Sequence, residues 1–320
     1  MKQNPIFSVI IPHKNTPDLL QRCLNSIPRS SDVQIIVVDD NSGESAVDFD
    51  HFPGLNDPFV EVILTKEGKG AGYARNIGLT KAKGKWLLFA DADDFFVKNA
   101  FDILFAYANA SEEIIFFKPT SIYSDTGEPA ERANSKILFI DNFLSNKKYS
   151  EDFLRYRRSN PWGKMIKKAL VDREHILFDE TPVSNDVMFS CLTGHYAKSI
   201  NCVNEVIYTV TMSKGSLTNI KNFNIIKTRY IIDLKRNKFL REINKNHCIK
   251  SHLYQLITCI VNFGLKPFVQ LIKLHFDFRD NPFVNTDIFV SIKKNFKNYN
   301  KRKEQKKKNR AFYTNVYKGE

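Results

Sequence analysis

Cysteine is sparse in this 320-residue chain. Cys23, Cys191, Cys202, Cys248 and Cys259 are scattered, odd in number and without C-x-x-C spacing. That argues against a disulfide scaffold or a cysteine-bound zinc, and for buried thiols in a reducing compartment. The seven histidines are equally dispersed, with no H-E-x-x-H pair, so a histidine-held metal is not expected. There is no G-x-x-x-x-G-K-[ST] and no G-x-G-x-x-G after the first strand, which counts against Walker-type and nicotinamide-cofactor chemistry. No G-x-S-x-G supports a serine nucleophile. No uncharged apolar run reaches the roughly 18 residues of a spanning helix. Met1-Lys2-Gln3-Asn4-Pro5 leads straight into a strand pattern, without a visible signal peptide. A cytoplasmic location is the resulting expectation.

Positive charge, by contrast, is in excess. The formal net charge is +13, and much of it gathers between Lys293 and Arg310. Such a run reads as a solvated tail, as an electrostatic anchor to anionic lipid, or, ranked last, as a nucleic-acid arm.

Helix and strand patterns alternate through the first third, which predicts an α/β class. Strands are expected over residues 7–11, 33–38, 60–64, 85–90 and 113–117. Helices are expected from Pro17, capped by Thr16, and over 73–83 and 97–108. Residues 121–132 read as a polar, mobile loop. Further on, helices are expected over 164–172 and 185–192, and a strand over 205–212. Long helical patterns begin near 223, and the apolar stretch 249–276 reads either as a membrane-facing element or as an ordinary helix pair or dimer interface. The predicted organisation is 1–220 catalytic, 221–298 helical and 299–320 basic tail.

Two acidic clusters end apolar runs: Asp39-Asp40-Asn41-Ser42 and Asp91-Ala92-Asp93-Asp94. In open α/β sheets the ligand crevice lies at the carboxyl ends of the strands. Carboxylates gathered there repel one another and resist desolvation unless a cation or hydrogen-bonding ligand compensates. Asp91 and Asp93 can offer oxygens to a hard divalent cation, magnesium or manganese. The bland alternatives are an Asx turn at Asp39-Asp40 and a helix cap at Asp94. Lys69, Arg75 and Asn76 read equally as phosphate contacts or as surface residues.

Four motifs occur in order: Ser8-Val9-Ile10-Ile11-Pro12-His13-Lys14-Asn15, Val37-Val38-Asp39-Asp40-Asn41-Ser42, Ala74-Arg75-Asn76-Ile77-Gly78-Leu79 and Gly84-Lys85-Trp86-Leu87-Leu88-Phe89-Ala90-Asp91-Ala92-Asp93-Asp94. With them, residues 6–218 resemble the family-2 glycosyltransferases. The resemblance implies a GT-A fold, a doubly wound, mostly parallel sheet flanked by helices, here with a helical C-terminal appendage. It implies an inverting transfer of a hexosyl or N-acetylhexosaminyl group from a UDP-linked donor to a glycan or polyprenyl-linked acceptor, as in surface polysaccharide synthesis. By the same resemblance Pro12, His13, Asn15, Asp40, Lys69, Asp91 and Ala92 line the nucleotide-sugar site. Asp93, with Asp91, holds Mn2+ or Mg2+, and Asp186 is the general base. Asn185 stands where the family has a glutamate. Trp162-Gly163-Lys164 resembles the family's Trp-x-Lys segment, with Trp162 either stacking on sugar or packing in the core, and Gly215-Ser216-Leu217-Thr218 resembles its closing loop. Peripheral contact with an anionic membrane is expected and nucleic acid is not. The rival readings are a metal-dependent nucleotidyltransferase, which should carry a basic glycine-rich loop near the first strand, and a non-catalytic binding module.

Overall fold

The computed structural model describes residues 4–212 and 222–279. Strands β1 (Phe7–His13), β2 (Val33–Asp40) and β4 (Trp86–Phe89) are buried along almost their whole length. Unbroken apolar runs of this kind suit parallel strands covered on both faces. β1 lies between β2 and β4, parallel to both, and β2 pairs in parallel with β3 (Val60–Thr65). The alternation of side chains divides the core in two. Val9, Ile11, Ile35 and Val37 pack with α1 (Pro17–Asn25) and α3 (Ala100–Ala106). Ile10, Ile36 and Val38 pack on the other face with α2 (Ala71–Lys81) and α7 (Asp186–Tyr196).

The complete sheet has eight strands in the order β3-β2-β1-β4-β7-β6-β8-β5, where β5 is Phe95–Phe96, β6 Ile114–Tyr123, β7 Lys164–Lys167 and β8 Ile200–Met212. β7 inserts antiparallel between β4 and β6, β8 runs parallel to β6, and β5 pairs antiparallel with β8. The α/β sheet flanked by helices is therefore as expected, but its second half is mixed.

Several local expectations are corrected. Residues 164–167 are a strand, and only Lys168–Arg173 (α6) is helical there. Residues 121–132 are not a free loop: β6 runs to Tyr123, the chain turns back, and Ile122 bridges Pro129 while the Ser121 hydroxyl donates to the Ala130 carbonyl (2.6 Å). Asp94 caps no helix, because the chain enters β5 after it and α3 starts only at Ala100. Thr16 does precede α1, with Pro17 at its first position, but its side chain makes no capping bond.

Helices α4 (Asn134–Leu144), α5 (Ser150–Arg157) and α8 (Phe223–Glu242) complete a first compact unit that ends at Cys248. A second begins at Ile249 and contains α9 (Leu253–Phe263) and α10 (Leu265–Asp277), joined at Gly264. No described helix is long and apolar enough to cross a membrane. All five cysteines are buried and unbridged. The expected closing loop at 215–218 and the basic tail lie outside the described residues.

Candidate active site

The carboxyl ends of β1, β2 and β4 lie side by side because the three strands are parallel neighbours. Register puts His13 opposite Asp39, and their side chains meet: Nδ1 lies 2.7 Å from the Asp39 carboxylate. The Thr16 N–H donates to His13 Nε2 (3.1 Å), so the ring proton sits on Nδ1, toward Asp39. Asp39 also accepts from the Ser42 N–H (2.8 Å) and hydroxyl (2.5 Å). Burial alone would raise its carboxyl, but the bonds from His13 and Ser42 outweigh that and hold it below the usual range. Asp39 and His13 are thus committed to each other, tying β1 to β2. Asn15 extends the tie: its N–H donates to Ser42 Oγ (2.8 Å) and its side chain accepts from the Gly43 N–H (2.9 Å).

Asp40 differs. Its Oδ2 accepts from the Gly70 N–H (2.9 Å) and lies 3.4 Å from the Lys14 ammonium, whereas Oδ1 is buried with no partner among the described residues. A buried carboxylate oxygen left open at the carboxyl end of β2 is a ready acceptor for an N–H donor. Gly70, at φ +96°, turns the chain into α2 and aims its N–H at Asp40. Lys69, expected near phosphate, pairs with Glu67 at 2.8 Å and stays half exposed. Asn76 is spent on structure, exchanging bonds with the backbone of Phe178 (3.0 and 2.9 Å).

The second cluster follows β4. Oxygens of Asp91, Asp93 and Asp94 lie within 4.8 Å of one another. Burial and the charge of Asp91 push the Asp93 carboxyl up. Asp94 is pushed well up by burial and by both neighbours, although the Thr211 N–H donates to its Oδ1 (2.7 Å). Three crowded carboxylates, two of them with raised proton affinity, fit a hard cation, which would replace the missing positive charge and takes oxygen donors. The turn itself is held by protein contacts: the Asp91 N–H donates to Tyr208 Oη (2.9 Å), and the Asp93 carbonyl accepts from Arg22 (2.6 Å) and Thr211 (2.7 Å). Ala92 is buried between them.

Arg75 joins the two halves of the site. One guanidinium nitrogen donates to Asp91 (2.6 Å), the other to Asn185 Oδ1 (2.8 Å), and the group lies over the Phe178 ring. Asn185 immediately precedes Asp186 at the start of α7, so its amide fills the arginine contact at the position where the sequence departs from the family pattern. Asp186 is enclosed by protein on most sides, with part of its surface open to solvent. Burial raises its carboxyl, Arg75 pulls it back, and Asp91 raises it further, leaving the group above the ordinary aspartate value. Lys164 supports α7 one turn on, donating to Ser190 Oγ (3.3 Å) and to the Arg158 carbonyl (2.8 Å). Trp162 is buried and stacks on Tyr208 (5.6 Å, 16°), a packing role under the acidic turn.

The close approach of α2 to the segment before α7 depends on Gly72. A Cβ there would sit 2.1 Å from the Asp179 carbonyl oxygen and 2.9 Å from Asn185 Cβ. Gly72→Ala should therefore force α2 and the 179–186 segment apart, at a cost of about 1–3 kcal/mol. A lowered thermal midpoint together with weakened activity is expected; an unchanged melt would refute the contact.

Sequence reasoning did not single out Arg22, Tyr208 or Thr211. Each reaches the acidic turn from a distant element, and no local pattern marks it.

Comparison with known proteins now fits this geometry. The Glycosyl transferase family 2 profile matches residues 8–176. The chain belongs to that family. It is 28% identical over 229 residues to the uncharacterized glycosyltransferase EpsJ of Bacillus subtilis, covering 68% of this chain and 64% of that protein. It is also 28% identical over 185 residues to the GalNAc(5)-diNAcBac-PP-undecaprenol beta-1,3-glucosyltransferase of Campylobacter jejuni, covering 57% of each. The match thus spans less than two thirds of either relative. The crystal structure of S. aureus TarS 1-349 in complex with UDP-GlcNAc shares the fold, with a TM-score of 0.61 at 20% identity over 85% of this chain and 80% of that one. The fold is of the GT-A type.

Proposed function

We propose that the protein is an inverting glycosyltransferase that moves a hexosyl or N-acetylhexosaminyl group from a UDP-linked donor to a glycan or polyprenyl-linked acceptor in polysaccharide synthesis. The observation that carries this reading is the Arg75 bridge, which ties the acidic turn to the residue that opens into α7. TarS, which shares the fold, is seen with UDP-GlcNAc, and the Campylobacter relative is named for a lipid-linked acceptor.

Single displacement at an anomeric carbon needs a base on the acceptor hydroxyl and an electrophile on the departing diphosphate, on opposite sides of the sugar. Asp186 takes the hydroxyl proton. Asp93, with Asp91, would hold a manganese or magnesium ion, which supplies charge neutralisation for the diphosphate. Arg75 keeps Asp91 and the Asp186 helix in fixed relation. Asp40 accepts from the uracil imide through its open Oδ1, and Pro12, Asn15 and Ala92 shape the pocket wall. His13 contributes by fixing that wall, since both its ring nitrogens are engaged. Lys69 stands at the rim toward phosphate.

A panel of nucleotide sugars with manganese, read by released nucleotide, tests the donor class. UDP-sugars should dominate, and Asp40→Ala should raise the KM for them about ten- to a hundredfold, the worth of a charged hydrogen bond. Equal turnover of GDP- and UDP-sugars would overturn the assignment of Asp40.

A further inference from the structure

In the second unit, α9 carries no charged residue. Tyr254, Ile257 and Val261 recur along it at i, i+3 and i+7, forming one stripe. They are 67%, 49% and 76% exposed, while Leu256 and Cys259 are buried. α10 repeats the arrangement: Leu265, Val269 and Phe276 share a stripe and are 72%, 46% and 78% exposed, with Leu271 and His275 buried. Isolated apolar residues are ordinary on a surface, but two ordered stripes on one packed helix pair mark an interaction face. Cations accompany it. Lys266 and Lys273 are exposed, and at 100° per residue both run alongside the α10 stripe. Residues 249–320 contain 15 Lys or Arg against five Asp or Glu.

We propose that the α9–α10 pair is a peripheral docking surface for an anionic lipid bilayer. The apolar stripes enter the boundary between headgroups and acyl chains. Lys266 and Lys273 lay their stems along that boundary and hold their ammonium groups at the phosphates. A second copy of the chain is the poorer occupant, because self-docking would bring like charges together, whereas an anionic bilayer satisfies stripes and cations at once. None of these residues is among those assigned to sugar transfer, so the inference does not rest on that reaction.

The test is vesicle flotation of the full-length protein. Phosphatidylcholine vesicles are compared with vesicles containing about 30% phosphatidylglycerol, at about 0.1 M and 0.5 M salt. The protein should float with the anionic vesicles only, and less at high salt. Val261→Asp/Phe276→Asp and Lys266→Glu/Lys273→Glu should each cut the bound fraction at least about tenfold. Both sites are exposed, so melting curves and UDP-sugar hydrolysis should stay at the parent level. Failure to float on anionic vesicles would overturn the proposal, as would equal flotation of parent and both variants. So would a concentration-dependent dimer abolished by Val261→Asp/Phe276→Asp, which would give the stripes to a second copy.

Discussion

Asp186→Asn should abolish sugar transfer while leaving UDP binding close to the parent level. The amide keeps the shape of the side chain, but it cannot take up the acceptor's proton. Positioned general bases contribute about 10²–10⁴-fold, so kcat should fall by that order with little change in the affinity for UDP measured by calorimetry. The pH profile adds a second readout. Burial holds the Asp186 carboxyl above the usual aspartate value, and Asp91 adds to the shift against the pull of Arg75. A base with a raised pKa is lost earlier as pH falls, so the acid limb of kcat should lie above the value of about 3.9 of a free aspartate. Near-normal turnover in Asp186→Asn, or an acid limb at the free-aspartate value, would take the role away from this residue.

That Asp186, the proposed base, stands near the acidic turn was not readable from local sequence. Asp186 and Asp91 are far apart in the chain, and what unites them is Arg75, in contact with both Asp91 and Asn185. Arg75 itself looked like an ordinary helical surface residue or a phosphate contact, because propensity does not report where a guanidinium is buried. The first strands, by contrast, were legible. Their apolar runs stop at Pro12, Asp39 and Asp91, and a parallel strand buried on both faces needs such a run. The same logic located the two acidic clusters at strand ends. It could not tell Asp39 from Asp40. The difference is made by His13, brought opposite Asp39 by strand register, and by Gly70, which turns its N–H to Asp40. β7 was missed for another reason. Lys-Met-Ile-Lys is short, ends in lysines and runs straight into α6, so the stretch reads as a helix start. Only its place between β4 and β6, with Met165 and Ile166 buried, makes it a strand. β6 was cut short because Lys118, Pro119, Thr120 and Ser121 look turn-like. In the fold the strand continues there through shifts of register against β8, which accommodate the irregular pairing at Lys118 and Pro119.

Asp93→Ala should have two opposite effects that a merely structural aspartate would not produce. With manganese present, UDP binding should weaken sharply. Loss of partners in the outer shell of a metal site costs about 10–100-fold in metal affinity, and a direct ligand should cost at least as much. Calorimetry with and without manganese would show the loss confined to the metal-loaded titration. Without metal the substitution should instead stabilise the fold. The Asp93 carboxyl is raised by burial and by Asp91, and Asp94 is raised by burial and by both neighbours. A raised carboxyl is harder to ionise in the folded state than in the unfolded chain. At neutral pH, above the unfolded value, its charge therefore opposes folding, and the penalty disappears as pH falls and the group takes up a proton. Removing Asp93 takes one charge out of the cluster and relieves its neighbours. The metal-free variant should melt above the metal-free parent at pH 7, with the gap closing toward pH 4. Manganese should raise the midpoint of the parent and leave the variant nearly unmoved. A metal-free variant that melts below the parent, or one that manganese stabilises as strongly, would mean that these aspartates hold backbone and not a cation.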